Sequence, residues 1–135
     1  MVIEWQQDLS IGVLEIDIQH KLLFDKFNAF LTAYQSEPES EGLYRLFWFV
    51  EAYTVTHFRE EEKLMQQVGY PDYLKHRELH LAFTDEIGKL KERLRVEGPA
   101  KGVIHTMKSF ISGWLVSHIS TVDREIGRFV NAAGA

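Results

Sequence analysis

The stretch from His57 to His80 constrains this chain more than any other. It reads H-F-R-E-E-E-K-L-M-Q-Q-V-G-Y-P-D-Y-L-K-H-R-E-L-H. A turn signal around Gly69 and Pro71 separates H-x-x-x-E (His57, Glu61) from H-x-x-x-H (His76, His80). Residues four apart on an α-helix lie one above the other on a single face. Two consecutive helices therefore each present two metal-capable groups to one side, and the rest of the chain must accommodate them.

The hydrophobic period runs through both motifs. Leu43, Leu46, Phe47, Val50, Thr54, His57, Glu61, Leu64 and Val68 predict a helix from about Glu39 to Val68. At about 1.5 Å per residue it is roughly 45 Å long. Gly69 is expected to cap its C-terminus, and Pro71 to take an early position in the next helix. Tyr73, His76, His80, Phe83, Ile87, Leu90 and Leu94 predict that helix from about Asp72 to Val96, ended by Glu97-Gly98-Pro99. Upstream, His20, Leu23, Phe24, Phe27, Phe30, Leu31 and Tyr34 mark a helix from Asp17 that stops at Ser36-Glu37-Pro38. Downstream, Ile104, Met107, Ile111, Trp114 and His118 mark one over Ala100 to Ser117, and a short C-terminal helix is expected from Val122 to Val130. Residues 1 to about 16 lack a helical period and read as an extended arm on the outside of the core. The chain has 135 residues and no linker or repeat. The expected fold is all-α: a single domain, 1–135, forming an up-down-up-down four-helix bundle.

The polar groups on these stripes need explaining. Five of the six histidines lie on inward faces; His105 falls among Lys101, Ser109 and Ser112 and is assigned to solvent. Glu60 and Glu62 also read as solvated. Taken alone, His20 is an ordinary core histidine and Asp123 an ordinary charge at a helix start. Glu61 is different, because a glutamate on a buried stripe needs a partner. Together the groups conflict with folding. Unpaired, each would cost several kcal/mol against a total stability of about 5–15 kcal/mol. A metal centre removes the conflict. His118 and Asp123 are five apart, so the backbone must loosen between them for both to face inward. The chain has no cysteine, which excludes thiolate sites, iron–sulfur clusters and disulfides. Imidazoles and carboxylates suit iron, zinc or manganese. Seven donors exceed one tetrahedral zinc and suit two six-coordinate ions bridged by the carboxylates.

Other partners are disfavoured. The formal net charge is -5 with no basic stripe, which argues against nucleic acid. No apolar run approaches the roughly 18 residues of a membrane span. The first ten residues lack the basic start of a signal peptide, so a cytoplasmic location is expected.

The ordered set resembles the hemerythrins, of the single-domain bacterial type. The likeness covers nearly the whole chain: Trp5 with Ile11-Gly12, Asp17-x-Gln19-His20, the two motifs above, and W-L-x-x-H-I-x-x-x-D from Trp114 to Asp123. The resemblance implies a non-haem di-iron site that binds dioxygen reversibly, and no enzymatic activity. One iron would take His76, His80 and His118, the other His20 and His57. Glu61 and Asp123 would bridge both, with an oxo or hydroxo group. The iron with one histidine fewer would bind dioxygen, in a pocket walled by Leu23, Phe58, Trp114, Leu115 and Ile119. The donor chemistry agrees. Five of the seven donors are neutral, which favours the ferrous pair over the oxygen activation of carboxylate-rich di-iron bundles. A di-iron peroxidase or oxidase would use the same vacancy. An oxygen sensor, or a module delivering oxygen to a consuming partner enzyme, would share the site too. A haem-binding bundle is a further alternative, which a Soret band would reveal.

Overall fold

The computed structural model describes residues 4–36 and 41–133. Within them lie α1 (Leu14–Ser36), α2 (Glu41–Val68), α3 (Tyr73–Glu97), α4 (Lys101–Ser117) and α5 (Arg124–Ala133), with no strand. The expected stop at Glu37-Pro38 and the start at Glu39 lie outside the described residues, as does the side chain of Leu43.

Consecutive helices run antiparallel. Along α1 and α2, Gln19 meets His57, Lys26 lies over Phe49, and Phe30 meets Phe47. Along α2 and α3, Glu61 meets His76 and Lys91 meets Glu51. Along α3 and α4, His76 meets His118, Phe83 stacks on Phe110, and Arg93 reaches Thr106. This is the up-down-up-down bundle. The α3 stripe is buried at every position from His76 to Leu94, as a 3.6-residue period requires of a helix with one core face. On α2 the buried face also takes in Phe58 and Met65, which the simple stripe omits.

The helix ends follow glycine chemistry. Gly69 has φ +69°; its N–H donates to the Gln66 carbonyl and that of Tyr70 to Met65, the paired bonds of a Schellman cap. Pro71 sits one residue outside the N-cap, Asp72, rather than inside the helix as expected. Its fixed φ serves the turn instead.

The N-terminus differs from the expectation in two ways. First, α1 begins at Leu14, three residues before Asp17, and the arm contains a 3-10 turn, Gln7–Leu9. The buried Asp17 carboxylate accepts bonds from the Ser10 hydroxyl and the Ile11 N–H, folding the arm back on the helix start. Second, the arm does not merely cover the core. Leu9 and Ile11 are buried within it. Ile11 can enter because residue 127 is glycine: a Cβ there would stand 1.7 Å from the Ile11 carbonyl oxygen. The arm's 3-10 turn touches the segment joining α4 to α5.

That segment, His118–Asp123, is π-helical. In an α-helix, residues five apart point about 140° away from each other. The π-helix bonds i to i+5 and brings the fifth residue back over the first. The expected loosening after His118 thus takes this specific form.

Candidate metal centre

All seven expected donors meet inside the bundle. His20 comes from α1, His57 and Glu61 from α2, His76 and His80 from α3, and His118 and Asp123 from the two ends of the π-helical segment. Each is at most 5% exposed. They form two overlapping groups that could each hold a metal ion. One is Glu61, His76, His80, His118 and Asp123; the other is His20, His57, Glu61 and Asp123.

The two carboxylates divide their oxygens between the groups. Glu61 Oε1 lies 2.9 Å from His76 Nε2 and 3.1 Å from His80 Nε2. Glu61 Oε2 lies 3.2 Å from His57 Nε2 and 3.6 Å from His20 Nε2. Asp123 Oδ1 is 2.9 Å from His118 Nε2 and 3.0 Å from His76 Nε2, and its Oδ2 is 3.1 Å from His20 Nε2. The ring nitrogens of His76 and His118 approach to 3.1 Å.

These spacings carry chemical information. Two donors at right angles on one ion, each about 2.1 Å from it, are about 3.0 Å apart; on a tetrahedral ion they are about 3.4 Å apart. The three-histidine group clusters at the shorter value. Several of the contacts are also poor hydrogen bonds. His20 Nε2, Glu61 Oε2 and Asp123 Oδ1 are buried and near opposite partners, yet none has a hydrogen bond. Groups that converge on a common point, rather than on each other, have this geometry. Two cations fit the donor set.

The electrostatics agree. Burial opposes charge on His20, but Asp123 and Glu61 overcome it and raise its pKa to about 9. His76 is likewise raised to about 9, against burial, by Asp123 and Glu61. His57 is lowered, chiefly by burial. Burial and the nearby Glu61 work to raise Asp123, but the close imidazoles of His118, His20 and His76 bring it to about 2. Burial opposes ionisation of Glu61 too, and four imidazoles hold it well below its usual range. Without metal, two imidazolium ions would balance two buried carboxylates at neutral pH. Metal cations would take over that balance and release the protons.

Two outer contacts orient the rings. His57 Nδ1 donates to Gln19 Oε1 at 2.7 Å, and His80 Nδ1 donates to Glu62 Oε2 at 2.8 Å. Each leaves Nε2 facing the centre. The second contact corrects the assignment of Glu62 to solvent. Its side chain is 20% exposed and spans from α2 to α3. Helical phase places it beside Glu61 but does not reveal its reach across the interface. His105 is exposed, as expected.

The apolar surroundings form two sets. Leu23 and Leu115 line a cavity of about 20 Å³ with Val50, Thr54, Phe83 and Ile111 among others. Leu23 follows His20 by three residues, and Thr54 and Leu115 precede His57 and His118 by three, so the cavity lies about one helical turn from the centre. Phe58 and Trp114 stack instead on histidines: Phe58 on His80 at 3.9 Å and Trp114 on His118 at 4.1 Å between ring centroids. Ile119 is buried beside His118 and does not line this cavity. Thr54 was readable as part of the stripe, but nothing in the sequence marked it as cavity lining.

Residues 12–130 match the family model for the hemerythrin HHE cation binding domain. The chain is 29% identical over 128 residues to a bacteriohemerythrin of Stenotrophomonas maltophilia, covering 95% of this chain and 81% of that protein. It is 32% identical over 116 residues to one of Methylococcus capsulatus, covering 86% of each. The fold superposes on the crystal structure of a hemerythrin leucine-to-alanine variant with a TM-score of 0.83 at 27% identity, covering 96% of this chain and 98% of that one.

Proposed function

This chain belongs to the hemerythrin family, known for oxygen binding at a di-iron site, and from that premise we propose that it binds dioxygen reversibly at two iron ions. In this reading the whole chain acts as one such domain. His76, His80 and His118 would hold one ion, His20 and His57 would hold the other, and Glu61 and Asp123 would be shared between them. The observation that carries the reading is the division of both carboxylates, one oxygen toward each histidine group. Iron, when bound, would supply the electrons for binding dioxygen.

The protein's own residues do the rest. The two-histidine group is one donor short, which leaves room for a small ligand. Gln19 and Glu62 hold His57 and His80 with Nε2 inward. Phe58 and Trp114 cover the rings of His80 and His118. Leu23 and Leu115 keep the adjoining cavity apolar, which excludes water and protons and favours release of dioxygen unchanged. The mostly neutral donor set favours binding over catalytic turnover. Oxygen storage, transport or delivery to an oxygen-consuming enzyme in the cytoplasm would each use this property. Among the described residues no helix is long and apolar enough to cross a membrane.

Metal analysis and an oxygenation cycle test the reading. Two irons per chain and no haem are expected. The reduced protein should be nearly colourless, gain a visible charge-transfer band in oxygen, and lose it under vacuum. One ion per chain, a zinc-only protein, or a band that does not reverse would overturn it.

A further inference from the structure

The two histidine groups differ in what anchors them. In the three-histidine group, His80 Nδ1 donates to a carboxylate, Glu62, whose other oxygen lies 3.9 Å from Arg77 Nε. In the two-histidine group, His57 Nδ1 donates to an amide oxygen, that of Gln19. His20 Nδ1 and His76 Nδ1 are buried with no hydrogen-bond partner. Glu61 and Asp123 serve both groups, so their charge does not distinguish them. The charge of Glu62 is applied to one group through one ring.

A carboxylate that accepts an imidazole N–H draws the proton outward. The ring gains imidazolate character, and its other nitrogen becomes a stronger donor. Hydrogen bonds to an ionised acceptor are roughly twice as strong as neutral ones, so an amide has less effect. A stronger donor favours the more highly charged state of the ion it holds. We propose that Glu62 and Gln19 are positioning residues that make the two metal positions electronically unequal, with Glu62 favouring the ferric state at the three-histidine position and Gln19 keeping the two-histidine position readily ferrous. The inference rests on the di-iron reading above. Its consequence is that the ion with the vacancy stays poised to release its ligand, while its neighbour takes on electron loss more easily.

The test uses the full chain with Glu62→Gln, Gln19→Glu and the double exchange, which keeps the net charge. Glu62→Gln preserves an acceptor for His80 Nδ1 and removes only the charge. Two measurements apply: the midpoint potential of the iron-loaded protein, and a cobalt(II) titration of the metal-free protein. Glu62→Gln is expected to shift the ferric-to-ferrous preference about tenfold toward ferrous, a rise of about 59 mV for a one-electron couple. It should also weaken one of two cobalt-binding steps about tenfold or more and leave the other unchanged. Gln19→Glu should lower the potential and strengthen one step. The double exchange should interchange the two steps. An unchanged potential with unchanged cobalt binding in both single variants would overturn the proposal and leave Glu62 as a purely geometric anchor. A wild-type chain that takes up fewer than two cobalt ions would instead refute the di-iron reading itself, and the inequality with it.

Discussion

Replacing Leu115 with alanine tests whether the apolar cavity protects the oxygenated protein. Leu115 is 4% exposed and lies three residues before His118 on α4. The change removes three methyl-sized groups, worth about 2.4 kcal/mol at about 0.8 each. The void left behind adds to this, giving about 3–4 kcal/mol in total. For a chain of this size the melting temperature should fall by about 10–15 °C. The void joins a cavity of about 20 Å³. Such a cavity needs about 10–15 Å³ to hold a water, so the lining rather than the size decides, because the water needs at least two polar partners. Thr54 and Thr84 line the same cavity, and their hydroxyls are turned to the Val50 and His80 carbonyls, to which they donate. Losing Leu115 removes apolar lining and widens the cavity, which opens a place for water one turn from the centre. Leu115→Ala is expected to load two irons and to form the oxygen adduct, but to autoxidise to the diferric form faster than wild type. The assay is the decay of the visible band in air at one pH. Leu94→Ala is the control. Leu94 is 1% exposed, at the far end of α3, and its loss should destabilise without faster decay. Equal decay rates for Leu115→Ala and wild type would refute the reasoning and make Leu115 a packing residue only.

Four further outcomes are expected. Glu61→Ala or Asp123→Ala should lose both metals, since each carboxylate faces both groups; exposed His105, replaced by alanine, should change neither metal content nor spectrum, as metal analysis would check. Metal uptake near pH 7 should release about two protons per chain, because His20 and His76 have pKa values of about 9; affinity should rise with pH up to that value, and flat affinity from pH 6.5 to 9 would contradict it. In the metal-free protein the stabilisation from these two histidines should be full below about pH 6.5 and lost as pH rises through 9. That from Asp123 should be present above pH 3.8 and lost as pH falls through 2, as chemical denaturation across pH would measure. Gly127→Ala should dislodge Ile11 and cost about 1–3 kcal/mol, with the metal content retained; an unchanged denaturation midpoint would show that the arm contributes nothing there.

Much of this architecture is present in the one-dimensional pattern. The three-four recurrence from Tyr73 to Leu94 determined which face of α3 is buried, because each residue advances a helix by a constant angle. The same regularity made Glu61 conspicuous, and made the spacing of His118 and Asp123 incompatible with an unbroken α-helix. Helical phase alone, though, does not set how far apart two helices lie or how they are rotated against each other. Only the packing of α2 on α3 decided that Glu62 reaches His80, although a 100° step from Glu61 points it toward the boundary of the core. Packing also decided which carboxylate oxygen faces which histidine group, since that depends on side-chain torsions with no sequence period. The arm is a third case. Its irregular apolar residues show that it must be covered, but its depth depends on Gly127, more than a hundred residues away, where the missing side chain leaves space for the Ile11 backbone. Periodicity is a local property of one helix, whereas these contacts are made between elements.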